Sequence, residues 1–88
     1  MVTIKSNKDR IVHRLKIVNG HLHKVIQMVE SEQYCIDVLH HSLAVQKALK
    51  QIDMLMMEDH LNTCAVDQVK NGEEKKMVKE LVGIYKFK

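Results

Sequence analysis

The stretch from Tyr34 to Lys70 contains neither glycine nor proline, and in an 88-residue chain that fact constrains the fold more than any other. Nothing in it stops a helix, so it predicts one unusually long helix in a small protein. Its apolar residues, among them Ile36, Val38, Leu39, Leu43, Val45, Leu49, Ile52, Leu55, Met56 and Leu61, fall on several faces. A helix of that kind needs burial on more than one side.

The flanking segments complete the pattern. Ile11, Leu15, Val18, Leu22, Val25 and Val29 recur in steps of three and four, the rhythm of a helix packed against others. With Ser6 and Asp9 as start signals, the first helix is expected over about Asn7 to Glu30. The phase runs through Asn19-Gly20 without a slip, so the helix stays intact at a glycine cost of about 1 kcal/mol. Ser31 and Glu32 suit the cap and first turn of the second helix. Asn71-Gly72 reads as its stop, and Glu73-Glu74 opens a third helix carrying Met77, Leu81, Val82 and Ile84. The expectation is an all-α protomer of three helices with a long central one, residues 1–88 forming a single domain and 1–6 flexible. Only Tyr34, Tyr85 and Phe87 are aromatic, and a core this small would be marginal in one chain. Self-association is therefore expected.

Composition narrows the function. So short a chain rarely walls off a pocket as well as folding, and no acid, base and nucleophile set converges, so an enzyme with a small-molecule substrate is not expected. No window approaches the roughly 20 apolar residues of a membrane span, and residues 1–8 lack the apolar stretch of a signal peptide. Two cysteines are too few for a disulfide scaffold and point to a reducing cytoplasm. Net charge is +3, but residues 1–30 hold six basic side chains (Lys5, Lys8, Arg10, Arg14, Lys16, Lys24) against Asp9 and Glu30. A polyanionic partner and a merely solvated helix face account equally well for that bias.

His60 and Cys64 are four apart and share a helix face, where they can offer an imidazole and a thiolate to one ion. Cys35 is the only other thiol. On a continuous helix it stands about 37 Å from His60, so the three cannot meet within one chain. They can meet between antiparallel copies, Cys35 of each facing His60 and Cys64 of the other. Two thiolates and an imidazole suit Cu(I), whereas zinc would usually want a fourth ligand or a water. The competing reading is structural: cysteine is often simply buried, and a lone His-x-x-x-Cys is a weak signal. Met54, Met56 and Met57 read as core. His13, His21, His23, His40 and His41 read as surface residues, with neither His21/His23 nor His40/His41 placed to chelate.

The residues Tyr34-Cys35-Ile36-Asp37-Val38-Leu39, Ala44-Val45, Ala48-Leu49-Lys50, Glu58-Asp59-His60-Leu61 and Cys64 resemble the copper-sensitive operon repressors of the CsoR/RcnR family. Arg14-Leu15-Lys16 and Gly20 match its basic first helix, and Glu80-Leu81 its third. The resemblance spans nearly the whole chain. It implies a bacterial repressor built as an antiparallel helical-bundle dimer that pairs into a tetramer, binding operator DNA when metal-free and releasing it when metal binds. It further implies Cu(I) held by Cys35 of one chain with His60 and Cys64 of its partner. Tyr34 and Glu80 would form the surrounding hydrogen-bonded layer, and Arg14, Lys16 and Lys50 would contact DNA. Nickel and cobalt sensors add an amino-terminal histidine that Val2-Thr3-Ile4 lacks, which favours Cu(I) over nickel or zinc. His60 separates the chain from the persulfide-sensing branch, and Cys64 from the formaldehyde-sensing one. Departures also exist: Ile17 stands where many members are basic, and His21 and His23 replace a common Gln and Arg, lowering the fixed positive charge. Two other readings of the same residues are a thiol or persulfide switch on this fold and a copper-buffering bundle that does not bind DNA.

Overall fold

The computed structural model describes residues 7–87, all helical apart from two short turns. Helix α1 spans Lys8–Glu30 and α2 spans Cys35–His60. A π-helical turn, Leu61–Ala65, continues α2 directly into the short α3, Val66–Lys70. Helix α4, Glu74–Phe87, follows the second turn. The long central helix is thus present over 35–70, with one wide turn inside it. The expectations placed on Ser6 and on residues 1–6 lie outside the described residues.

Helices α1 and α2 form an antiparallel hairpin around a narrow apolar seam. Ile11, Val18 and Val25 from α1 meet Val45 and Ile52 from α2, with Val38, Ala48, Leu55 and Met56 packed around them. Both sides repeat every seven residues, the period that keeps one stripe of a helix facing one partner. Two side-chain contacts mark the register: Asn7 Nδ2 donates to Asp59 Oδ1 at 2.7 Å near one end, and His21 Nε2 lies 2.9 Å from His41 Nδ1 further along. Arg14 therefore sits at about the level of Lys50.

The turns differ from expectation in one respect. Ser31 is the C-cap of α1, not the N-cap of α2, and its hydroxyl donates to the Gln27 carbonyl at 2.7 Å. Glu32 follows in the left-handed region at φ 55°, so that the Glu32 and Gln33 amides can close the helix on Val29 and Met28. Tyr34 then caps α2, and Asp37 supplies its first-turn carboxylate. Asn71-Gly72 ends α3 as expected, with Gly72 at φ 73° and the Glu73 amide on the Gln68 carbonyl at 2.7 Å.

Much of the predicted apolar surface stays uncovered. Leu15, Leu22 and Val29, half of the α1 stripe, are exposed, as are Ile36, Leu39, Leu43 and Leu49 on α2. Helix α4 buries no residue. The cause is geometric: one hairpin partner covers only one stripe of each helix. The radius of gyration is 17.1 Å, against about 12 Å for a compact chain of this length.

Candidate metal centre

The hairpin places the proposed donors at opposite ends. Cys35 is the first residue of α2 and is exposed, next to an exposed Tyr34. His60 is the last residue of α2 and half-buried. Cys64 lies inside the π-helical turn and is 1% exposed. Neither cysteine is in a disulfide. A four-residue separation spans about one turn of either helix type, so His60 and Cys64 share a side. Among the described residues, no three His, Cys, Asp or Glu side chains of one chain converge as a metal site. The chemistry of the donor set still fits a soft ion, because a buried thiol stands one helical turn from an imidazole and a second thiol is exposed elsewhere.

The local backbone around Cys64 has identifiable causes. The Thr63 hydroxyl donates to the Asp59 carbonyl one turn back at 2.7 Å, a bond that bends helices by competing with the backbone ladder. The same hydroxyl lies 3.8 Å from Cys64 Sγ. Asp59, beside His60, is itself buried at 4% exposure and accepts the hydrogen bond from Asn7, the N-cap of α1. The segment that carries the imidazole is thereby tied to the start of the basic helix.

One further link runs to α4. Gln68, 5% exposed, donates from Nε2 to Glu80 Oε1 at 2.7 Å. Gln68 stands one helical turn beyond Cys64, so His60, Cys64 and Gln68 follow one side of the helix. Glu80, otherwise exposed, is held by that bond. Sequence reasoning missed Asn7, Asp59 and Gln68. The four-residue spacing 60, 64, 68 was a signal for the last of these, but nothing in the sequence pairs residues 7 and 59.

For the proposed DNA contacts, Arg14 is half-buried on α1, and Lys16 on α1 and Lys50 on α2 are exposed. Lys76 with Glu73, 4.0 Å apart, is the one ion pair among the described residues, so Arg14, Lys16 and Lys50 are not neutralised by neighbouring carboxylates there. His13, His23 and His40 are exposed, as their reading as surface residues expects, but His21 and His41 are half-buried and in contact across the hairpin, ring centroids 5.2 Å apart and planes at 86°. Among the described residues no helix is long and apolar enough to cross a membrane.

Comparison with known proteins agrees with this architecture. A copper-sensing transcriptional repressor CsoR of Bacillus subtilis is 37% identical over 79 residues, covering 90% of this chain and 78% of the relative. The protein of the same name from Mycobacterium tuberculosis H37Rv is 36% identical over 84 residues, covering 96% and 71%. The crystal structure of the copper-sensing repressor CsoR with Cu(I) from Geobacillus thermodenitrificans superposes with a TM-score of 0.88 at 34% identity, over 98% of this chain and 90% of that one. Residues 7–86 match the family model described as metal-sensitive transcriptional repressor, and the chain, all-helical and carrying this donor set, belongs to that family.

Proposed function

We propose that the chain is a Cu(I)-responsive repressor that occupies operator DNA when metal-free and leaves it when Cu(I) binds. The observation that carries this reading is the division of one soft donor set between the two ends of α2, with Cys35 exposed at one and His60 beside Cys64 at the other. Two antiparallel copies would complete two equivalent sites, each with Cys35 from one protomer and His60 and Cys64 from its partner. The uncovered apolar stripes supply the surface for that dimer and for its pairing into a tetramer. The relatives named for copper sensing support Cu(I) over zinc or nickel. Residues 1–88 act as one unit in the cytoplasm.

Cys35 of one chain with His60 and Cys64 of its partner would hold Cu(I), which would tie the two chains together, and the chain's own residues must convey that tie to DNA. Asp59 and Asn7 connect the imidazole segment to α1, which carries Arg14 and Lys16. Gln68 and Glu80 connect the thiol segment to α4, and Tyr34 flanks Cys35. Metal and DNA then oppose each other through two arrangements of one assembly, with equal coupling in both directions. Arg14, Lys16 and Lys50 neutralise phosphates, so DNA affinity falls steeply with salt.

The test is fluorescence anisotropy of reduced protein on DNA from its own promoter, with Cu(I) delivered from a competing chelator. The expected result is salt-sensitive binding reversed by Cu(I), at one ion per chain. Cu(I) binding without any DNA binding would establish the copper-buffering bundle instead. DNA release by persulfide with an interchain Cys35–Cys64 bridge in non-reducing mass spectrometry, and none by Cu(I), would establish the thiol switch. Unchanged Cu(I) stoichiometry in Cys35→Ala would remove the assigned ligand set.

A further inference from the structure

We propose that His21 and His41 form a second metal site, of imidazole ligands only, that takes a divalent ion such as Ni2+ or Zn2+ and clips α1 to α2. His21 Nε2 and His41 Nδ1 are 2.9 Å apart, with the ring planes nearly perpendicular. One of the two facing nitrogens donates a proton and the other accepts it, so both ring edges are already turned toward a common gap. A tetrahedral ion with bonds of about 2.0–2.1 Å would hold them about 3.3 Å apart. The nitrogens need part by only a few tenths of an ångström, and the rings tilt so that both lone pairs meet the ion beside the line that now joins them.

The exchange balances without an external reagent. In the hydrogen-bonded pair one ring donates its N–H to the other, the tautomers deciding which. When the ion enters, the donor ring carries its proton on its other nitrogen, and both facing nitrogens give lone pairs to the metal. Both rings are half-buried, which leaves one side open for water to complete the coordination. Neutral imidazole favours Ni2+, Zn2+ and Cu2+ over hard ions.

The site is separate from the thiol-containing one. His41 stands about 9 Å along α2 from Cys35 and points to a different side. His21 lies one heptad from Arg14 on α1, about 10 Å along the same stripe, so a clip there would fix the spacing of the two helices that carry Arg14 and Lys50.

The test is calorimetric titration of Ni2+ into full-length Cys35→Ser protein, in which the substitution at an exposed position disables the thiol-containing set. The expected result is one Ni2+ per chain, weakened at least 10-fold by either His21→Gln or His41→Gln and unchanged by His13→Gln. Ni2+ should also raise the melting temperature of the parent but not of the two Gln variants. Absence of Ni2+ binding in the parent, or the same isotherm in all three variants, would overturn the proposal. Ni2+-induced broadening of histidine ring resonances in the parent provides a reading independent of variant folding. Broadening confined to His21 and His41 supports the site, and broadening of other histidines alone overturns it.

Discussion

Helix α2 and its extension present the same element, sulfur, in two opposite settings. At the start, Cys35 stands in the first turn, exposed, beside Tyr34 at 67% exposure. At the far end, Cys64 is sealed in a π-helical turn, with Thr63 hydrogen-bonded one turn back and Asp59 anchored to α1. The far end carries a buried thiol and a half-buried imidazole one helical turn apart. The exposed end holds one thiol that this chain cannot use locally. A surface donor at one end and two donors one turn apart at the other is the division that the proposed antiparallel dimer would complete.

The largest expected effect tests that complementarity. Cys35→Ala and Cys64→Ala should each weaken Cu(I) binding by at least about 100-fold, since loss of a merely supporting hydrogen bond already costs about 10–100-fold. A chelator competition measures it. If Cys35→Ala bound Cu(I) as tightly as the parent, the exposed end would not belong to the site.

Folding should separate the two ends where metal binding does not. Cys64→Ser puts a hydroxyl into a nearly solvent-free position and should lower stability by about 1–3 kcal/mol. Cys35→Ser, exposed, should stay within about 0.5 kcal/mol. Urea unfolding of the metal-free protein gives both values, and equal losses would erase the contrast. A smaller effect is expected from Asn7→Ala, which removes the bond that anchors the buried end: about 1–2 kcal/mol, read in the same unfolding series, with Tyr34→Ala as the nearly neutral counterpart at the exposed end.

These contrasts mark how far the sequence could be read. Seven-residue spacing made Ile11, Val18 and Val25 recognisable as a buried stripe, and the absence of Gly and Pro marked the long helix. The same spacing could not tell which half of the stripe one chain covers, because Leu15 and Leu22 wait on a surface outside the hairpin. His60 and Cys64 were legible through their four-residue separation. The π-helical turn was not: Thr63 bonds backward to the Asp59 carbonyl there, but threonine does that in many helices without widening them. The Asn7–Asp59 and His21–His41 contacts depend on the hairpin register, which no local pattern specifies.

The smallest expected effects concern the two turns that bound α2 and α3. Both contain a residue in the left-handed region: Glu32 at φ 55° after α1 and Gly72 at φ 73° after α3. A side chain in that region costs about 1–2 kcal/mol, while glycine gives back roughly 0.5–1 kcal/mol through the freedom it has when unfolded. Glu32→Gly should therefore stabilise the protein by about 0.5–1 kcal/mol. Gly72→Ala should destabilise it by a similar amount, although an added Cβ there meets nothing within 4 Å, because the cost is conformational and not steric. Thermal melts of the two variants should shift in opposite directions. A gain from Gly72→Ala would mean that the turn after α3 leaves its left-handed geometry in solution. The Glu73 amide would then no longer close α3 on the Gln68 carbonyl, and the hold of Gln68 on Glu80 would weaken with it.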